Sequence, residues 1–242
     1  MLHVLTNRRF VTDEIMDSPD VEEAAHLQAL AGLRRINRFS GTADKVRRPI
    51  VEFARRENLK HISILDIACG GGDVPIQAAV GLQRSGVGVE LKLLDRSRTA
   101  VQTAAAAARN AGIVCEGIEA DVLDLPQIKA DVVTNSLFLH HLREPEQVVG
   151  LLRRMKEIAG RMVVISDLVR SRMGLIGAWA GCRMLSRSRI VHHDGPASVR
   201  AAWTMAEISE FARRAGMGGA RIERCRPWRM LLVWEKPQGG AA

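Results

Sequence analysis

The residues of this sequence whose types and spacing could do chemistry lie in four places. The first is ILDIACGGGD, residues 64–73, an apolar run that ends in three glycines and an acid. Glycines after a strand let the backbone turn sharply and approach a ligand without side-chain obstruction. A helix expected from Val74, with Pro75 in its first turn, aims its N-terminus at the same place. The stretch is neither a GxGxxG dinucleotide fingerprint nor a GxxxxGK[ST] phosphate loop. The second is Asp95 in LLDRS, 23 residues beyond Gly72, where a carboxylate can accept hydrogen bonds from both hydroxyls of a ribose. The third is Asp121 in EADVLDLP, where an acid can accept from an adenine amino group. The fourth is a set of histidines, candidates for a general base at neutral pH. They are His140 and His141 in NSLFLHHL, and His192 and His193 beside Asp194 in IVHHDGPASVR. The alternative reading of HHDGP is turn chemistry in a loop, with Asp194-Gly195-Pro196 setting the backbone and the histidines solvated. His193 is the favoured base, because the adjacent Asp194 can orient its ring.

These residues need a frame that brings them together. From His61 onward the pattern alternates between strand and helix. Strand-like runs cover Ile62–Ala68, Val89–Leu94, Ile113–Ala120, Asp131–Asn135 and Arg161–Ser166. Helix-like stretches lie near Val74–Ser85, Arg98–Ala111 and Pro145–Ala159. This alternation predicts a parallel sheet with helices on both faces and a ligand site at the carboxyl ends of its strands. Asp66, Asp95, Asp121 and the NSLFLHHL segment then fall on or just after successive strands. The first sixty residues read as helices, over Glu22–Arg38 and about Thr42–Glu57, with Pro49 the awkward residue. Near the other end, Thr204-Met-Ala-Glu207 matches a capping box and starts a helix to about Ala215. Two strand candidates follow, Ala220–Cys225 and Arg229–Glu235, placed as an antiparallel pair at one sheet edge.

Composition bounds the rest. With 242 residues and 47% apolar content, the chain can form one sizeable core with additions. No apolar stretch is long enough to span a bilayer; the longest is roughly Met173 to Cys182. Cys69, Cys115, Cys182 and Cys225 stand far apart, with no CxxC pair, which points to reduced thiols and a cytoplasmic location. No metal-ligand set is expected. Between Arg170 and Arg229 stand twelve arginines and four acids, so this segment carries the whole formal charge of +8. Such a surface could attract an anionic substrate, lipid or nucleic acid. Leu175, Ile176, Trp179, Cys182 and Leu185 fall on one helical face within Ser171–Arg189, edged by Arg172, Arg183, Arg187 and Arg189. That face suits a hydrophobic acceptor or peripheral contact with a membrane.

In combination these motifs resemble the class I S-adenosylmethionine-dependent methyltransferases. ILDIACGGGD looks like their glycine motif, with Ala68 where the first glycine is usual, as in the ubiquinone and menaquinone methyltransferases. LLDRS, ADVLDLP and NSLFLHHL match the second, third and fourth motifs, and GRMVVISDLVR resembles the fifth strand and the aspartate-bearing turn after it. The resemblance implies a Rossmann-like α/β fold with a seven-stranded sheet, mostly parallel and with the last strand antiparallel. It also implies a helical cap over residues 1–60, a methyltransferase domain over 61–242, and a substrate-covering insertion at 170–203. Residue by residue, it makes Asp66 the acid that supports the turn, with Ala68, Gly70 and Gly72 at the cofactor's amino-acid end. Asp95 would bind the ribose and Arg96 flank the adenine; Asp121 and Val122 would hold the adenine edge. Asn135 and Ser136 would sit near the methionine portion. The N-terminal stretch EIMDSPDVEEAAHLQALAGLRRINRFSG more loosely resembles bacterial methyltransferases that accompany polyketide or quinone-type pathways.

The expected function is transfer of a methyl group from S-adenosylmethionine to a hydrophobic small molecule, most simply O-methylation of a phenolic, polyketide-like or quinone-like acceptor. C-methylation of a similar ring is the near alternative. An RNA or other nucleic-acid substrate is disfavoured: there is no NPPY-type motif, aromatic content is 4% and tyrosine is absent, leaving few side chains on which bases could stack. A non-catalytic S-adenosylmethionine-binding protein is the third reading. Either a monomer or a homodimer is compatible with the sequence.

Overall fold

The computed structural model describes residues 8–18, 20–124 and 127–237, with Asp17 by its backbone alone. Pro19, and Leu125 and Pro126 at the end of ADVLDLP, lie outside the described residues. After a short 3-10 turn at Ile15–Asp17 come α1 (Glu23–Ser40) and α2 (Thr42–Arg56). The alternating part follows: β1 (His61–Ile67), α3 (Asp73–Arg84), β2 (Gly88–Asp95), α4 (Arg98–Asn110), β3 (Val114–Glu119) and β4 (Ala130–Ser136). A 3-10 turn at Leu139–His141 leads to α5 (Pro145–Ile158) and β5 (Ala159–Leu168). The chain ends with α6 (Arg172–Leu185), α7 (Arg189–Ala201), α8 (Met205–Arg214), β6 (Arg221–Cys225) and β7 (Arg229–Glu235).

The seven strands lie in the order β3-β2-β1-β4-β5-β7-β6. Only β7 runs against the rest, pairing antiparallel with both β5 and β6, so the expected sheet is the observed one. Strand β1 shows why it forms. Leu65 and Ile67 enter the core on one face, with Leu151, Met155 and Phe211, while Ile62 and Ile64 enter the other, with Ile50, Leu82 and Ala104. A strand buried on both faces reads as a continuous apolar run, because side chains alternate with period two and neither face meets water. Full burial of residues such as Leu65, Leu82 and Leu152 stabilises the fold by about 1.5–3 kcal/mol each. The capping box is present: Thr204 Oγ1 accepts from the Glu207 N–H, and the Glu207 carboxylate accepts from the Thr204 N–H.

The structure corrects one reading of the segment between β5 and α8. HHDGP is not a loop but the middle of α7, with Pro196 inside the helix. Pro196 lacks an N–H and costs the helix one bond, but Val191, Ala197, Val199 and Ala201 are buried and outweigh it. Gly195 is needed for space: a Cβ there would lie 2.3 Å from Cys182 Sγ of α6. A second feature of this segment concerns α6. Its inward residues are small, with Gly174 and Cys182 buried, whereas Ile176 and Trp179 are 45% and 55% exposed. Met173 and Met184 also face solvent. The helix therefore presents its largest apolar side chains outward, the reverse of the usual surface helix. Among the described residues no helix is long and apolar enough to cross a membrane.

Candidate active site

The turn after β1 follows its glycines. Ala68, Gly70 and Gly72 all adopt positive φ, at 56°, 52° and 72°. A Cβ on Gly70 would meet nothing within 4 Å, whereas one on Gly72 would lie 2.8 Å from Ala104 Cβ and 2.9 Å from Ile76 Cδ1. Gly70 thus borders open space, and Gly72 lets α3 and α4 pack. Asp95, ending β2, holds this turn directly: its carboxylate accepts from the Gly70 N–H and the Ser97 N–H, both at 2.9 Å. Arg96 follows it at the same edge. Asp121 is exposed and accepts from the Leu123 N–H at 2.8 Å, while Val122 beside it is buried.

Asp66 lies beneath the turn, 1% exposed, accepting from Thr134 Oγ1 on the neighbouring β4. Burial pushes its carboxyl up to about 7, against the Thr134 hydrogen bond, and the charges of Asp73 and Asp95 push the same way. Asn135 donates to the Ile67 carbonyl at 2.7 Å, tying β4 to β1. Its Oδ1 and the hydroxyl of Ser136 are buried and have no partner among the described residues. Ser166 Oγ, Asp167 Oδ2 and Arg229 Nη1 share that condition. These five of the seven such atoms among the described residues lie where β4 and β5 end and β7 begins, the other two being Thr12 Oγ1 and Arg200 Nε. Buried polar atoms are nearly always hydrogen-bonded, so this concentration marks a place built for a polar ligand.

The histidines separate into two pairs with different surroundings. His140, in the turn after β4, is 3% exposed, and its Nδ1 lies 2.7 Å from Oδ1 of Asp167 near the end of β5. Burial alone raises Asp167, but the charge and hydrogen bond of His140, with the Leu168 N–H, bring it below the usual carboxylate range. His140 Nε2 faces Glu14 Oε1 at 3.8 Å, and His141 Nε2 faces Glu14 Oε2 at 3.8 Å. One donor atom from each of Glu14, His140 and His141 lies within 4.8 Å of the other two, a grouping invisible in sequence because Glu14 is 126 positions upstream of His140.

The second pair sits on α7. His193 Nδ1 lies 2.8 Å from Asp194 Oδ1, as the adjacency suggested. The buried Asp194 carboxylate also accepts from the N–H groups of Ile15 and Met16, both at 3.0 Å. It therefore anchors the N-terminal segment, and His193 is half exposed beside it. His192 Nε2 lies 2.7 Å from the Ser186 carbonyl. Arg9 completes the anchorage, donating to the carbonyls of His140, Leu142, Arg143 and Ala201, with its guanidinium 3.5 Å from the Trp203 ring centroid. Burial, then the charge of Arg170, lowers Arg9 to about 10.

Residues 58–180 match the family model described as a methyltransferase domain, which is just over half of the chain. The chain belongs to the methyltransferase-domain family. The kinship read from the motifs is thereby borne out. No curated protein sequence matches the chain. Among solved structures, this methyltransferase chain is similar to a protein of Nostoc punctiforme PCC 73102 provisionally assigned as an O-methyltransferase. The identity is 18% and the TM-score 0.63, over 96% of this chain and 66% of that one. The chain thus spans about two thirds of the Nostoc protein's length. It is also similar to magnesium protoporphyrin IX methyltransferase of Synechocystis PCC 6803 with bound S-adenosylhomocysteine, at 18% identity and TM-score 0.55, over 92% and 90% of the two chains. A third is a plantazolicin methyltransferase in complex with S-adenosylhomocysteine, at 14% identity and TM-score 0.65, over 90% and 91%. At these identities the likeness concerns the fold.

Sequence reasoning passed over three residues of this methyltransferase site. Asp167 stood inside the fifth-strand motif without a role. Glu14 lies in the N-terminal segment, and Arg229 at the start of β7 had no signal beyond its charge. Glu14 is brought in across 126 residues of chain and Arg229 by the antiparallel return of β7, while Asp167 meets His140 between neighbouring strand ends 27 residues apart, and no local pattern encodes any of these.

Proposed function

We propose that the chain is an S-adenosylmethionine-dependent methyltransferase that O-methylates a hydrophobic small molecule bearing a phenol-like hydroxyl, with His140 as general base. The observation that carries this reading is the buried His140–Asp167 pair at 2.7 Å, set beside the orphaned polar atoms of Asn135, Ser136 and Ser166. A phenol titrates near pH 10, so a base must take its proton as the methyl group moves. Asp167 fixes the ring and holds the proton on Nδ1, leaving Nε2 as the accepting atom.

The open cradle at Gly70 and the unpartnered atoms on β4 fit the cofactor. The bound cofactor supplies a methyl group on a sulfonium. The chain's own residues bind and orient: Asp95 for the ribose, Asp121 and Val122 for the adenine edge, Asn135 and Ser136 for the amino-acid portion. Leu30 of α1 lies against Gly71, where an added Cβ would be 3.6 Å from Leu30 Cδ2. Leu30 thus covers the turn at Gly71, which supports the reading of the N-terminal helices as a cap. Asp194 and Arg9 hold the N-terminal segment, and with it Glu14, against His140 and His141.

Calorimetric titration with S-adenosylhomocysteine tests the cofactor site. Wild type should bind in the micromolar range, and Asp95→Ala should weaken binding about 10- to 100-fold, the loss of one or two good polar contacts. An acceptor screen with labelled methyl donor, comparing phenols, quinols and RNA, then tests the acceptor class. Methylation of RNA with no turnover of any phenol would overturn the small-molecule reading.

A further inference from the structure

Arg229 is the one fully buried cationic side chain among the described residues, apart from any charge on His140, at 4% exposure. It opens β7, and because β7 runs antiparallel to β5 it pairs with Leu168 at the carboxyl end of that strand. The reversal of one strand therefore delivers a guanidinium to the site edge. Its surroundings do not match its charge. Nη2 donates to Asn37 Oδ1 at 3.4 Å and Ser40 Oγ at 3.1 Å, both neutral, and Nη1 is buried with no partner. Among the described residues no carboxylate oxygen forms an ion pair with it within 4.0 Å. Burial lowers the guanidinium to about 10, while the charges of Asp167 and Asp73 act in its favour from farther away. Arg170, also nearly buried, pairs with Glu207.

A buried charge without a partner is costly, and native proteins keep such charges paired or hydrogen-bonded. Arg229 has a planar fork that matches a carboxylate. Its position relative to the glycine turn is fixed by one amide: Asn37 accepts from Arg229 and donates to Asp73 Oδ2 at 3.0 Å, and Asp73 follows Gly72 directly. We propose that Arg229 receives a ligand carboxylate, supplied by the amino-acid end of the cofactor or by the acceptor. This rests on the methyltransferase reading above and adds a positioning residue to it. The glycine-turn side favours the cofactor's carboxylate.

The test compares S-adenosylhomocysteine with 5′-methylthioadenosine, which keeps the adenosine and sulfur but lacks the carboxylate, by calorimetry on wild type, Arg229→Met and Arg229→Lys. If the carboxylate is the cofactor's, Arg229→Met loses roughly 10- to 100-fold in affinity for S-adenosylhomocysteine. Methylthioadenosine should then bind within about twofold of wild type, and Arg229→Lys should fall between. Unchanged methylthioadenosine binding also shows that the variant is folded. If the carboxylate is the acceptor's, S-adenosylhomocysteine binding is unchanged, but salicylate binding to the loaded wild type is lost in Arg229→Met. Equal weakening of both nucleosides, or no change with either nucleoside or salicylate, assigns Arg229 a purely structural role and overturns the inference. Failure of the wild type to bind even methylthioadenosine removes the cofactor reading itself, and the inference with it.

Discussion

His140 Nδ1 lies 2.7 Å from Asp167 Oδ1, and both side chains are almost wholly buried. Asp167 is thus positioned to choose the tautomer of a ring whose other nitrogen faces the N-terminal segment. With an acceptor from the screen, His140→Ala should lower kcat about 10²- to 10⁴-fold, the usual worth of a positioned base. Asp167→Asn should cost nearly as much, and the double variant little more than either alone, because the two act as a unit. Affinity for S-adenosylhomocysteine should stay within about threefold. Full activity in His140→Ala would remove the base from this site.

The two glycines at either end of the turn should fail in different ways. Gly70→Ala places a methyl in open space, so its cost to the fold is the left-handed backbone alone, about 1–2 kcal/mol. Its main effect should be weakened cofactor binding. Gly72→Ala drives a methyl into Ala104 and Ile76 as well as straining φ, and should cost about 2–5 kcal/mol of stability. Thermal unfolding and calorimetry on the same two variants separate these outcomes.

Asp66 gives the free protein a pH dependence of definite sign. Its carboxyl is raised from 3.8 to about 7, chiefly by burial. Between those values the native state holds a proton that the unfolded chain has released. The contribution of Asp66 to stability therefore falls as pH rises from about 4 to about 7 and levels off above. Asp66→Asn, which keeps the shape and cannot ionise, should flatten that part of the profile. A melting temperature that rises with pH over this range in wild type, and identically in the variant, contradicts the assignment.

Exposed and buried apolar residues should differ sharply on the C-terminal side of the molecule. Ile176→Ser should change stability by no more than about 0.5 kcal/mol. Trp179→Ser should cost up to about 1 kcal/mol, since Arg183 lies over its ring at 4.5 Å in an exposed cation–π contact. Leu152→Ala, at 0% exposure, should cost about 2–5 kcal/mol. Chemical denaturation of the three variants measures the contrast.

The strands and the glycine turn were legible because their signals are local. Ile64, Leu65 and Ile67 form an apolar run that only a doubly covered strand explains, and Gly70 and Gly72 sit where positive φ is required. Asp95 ends its strand as its position implied, and Thr204 with Glu207 starts its helix as the capping box dictates. The orientation of α6 was not legible, because a helix apolar on both faces does not say which face is inside. Its partners decide, and Gly195 of α7 and Trp228, packed where Gly177 lacks a Cβ, take the small-residue side. HHDGP misled for a related reason. Turn-forming residues keep their preferences, but Val191, Val199 and Ala201 gain more by burial than Pro196 forfeits. Glu14, Asp167 and Arg229 meet the site only through tertiary contact, so no window of sequence contains them together with their partners.

The N-terminal segment fastens onto residues that a ribosome makes long after it. Phe10 donates to the Arg200 carbonyl, Ile15 and Met16 to Asp194, and Asn37 and Ser40 accept from Arg229. During synthesis the first forty residues must wait while more than 180 others emerge and the sheet closes. Those contacts, among the most widely separated in sequence, are slow to find by loop closure. The anchors that hold Arg9 and Glu14 over His140 are therefore available only late in synthesis, whereas Leu30 and Asn37 of α1 meet the glycine turn across fewer than fifty residues. A nascent or truncated chain lacking α7 and β7 would hold the glycine turn with Leu30 and Asn37 beside it but without the Asp194 and Arg229 anchors of its cover.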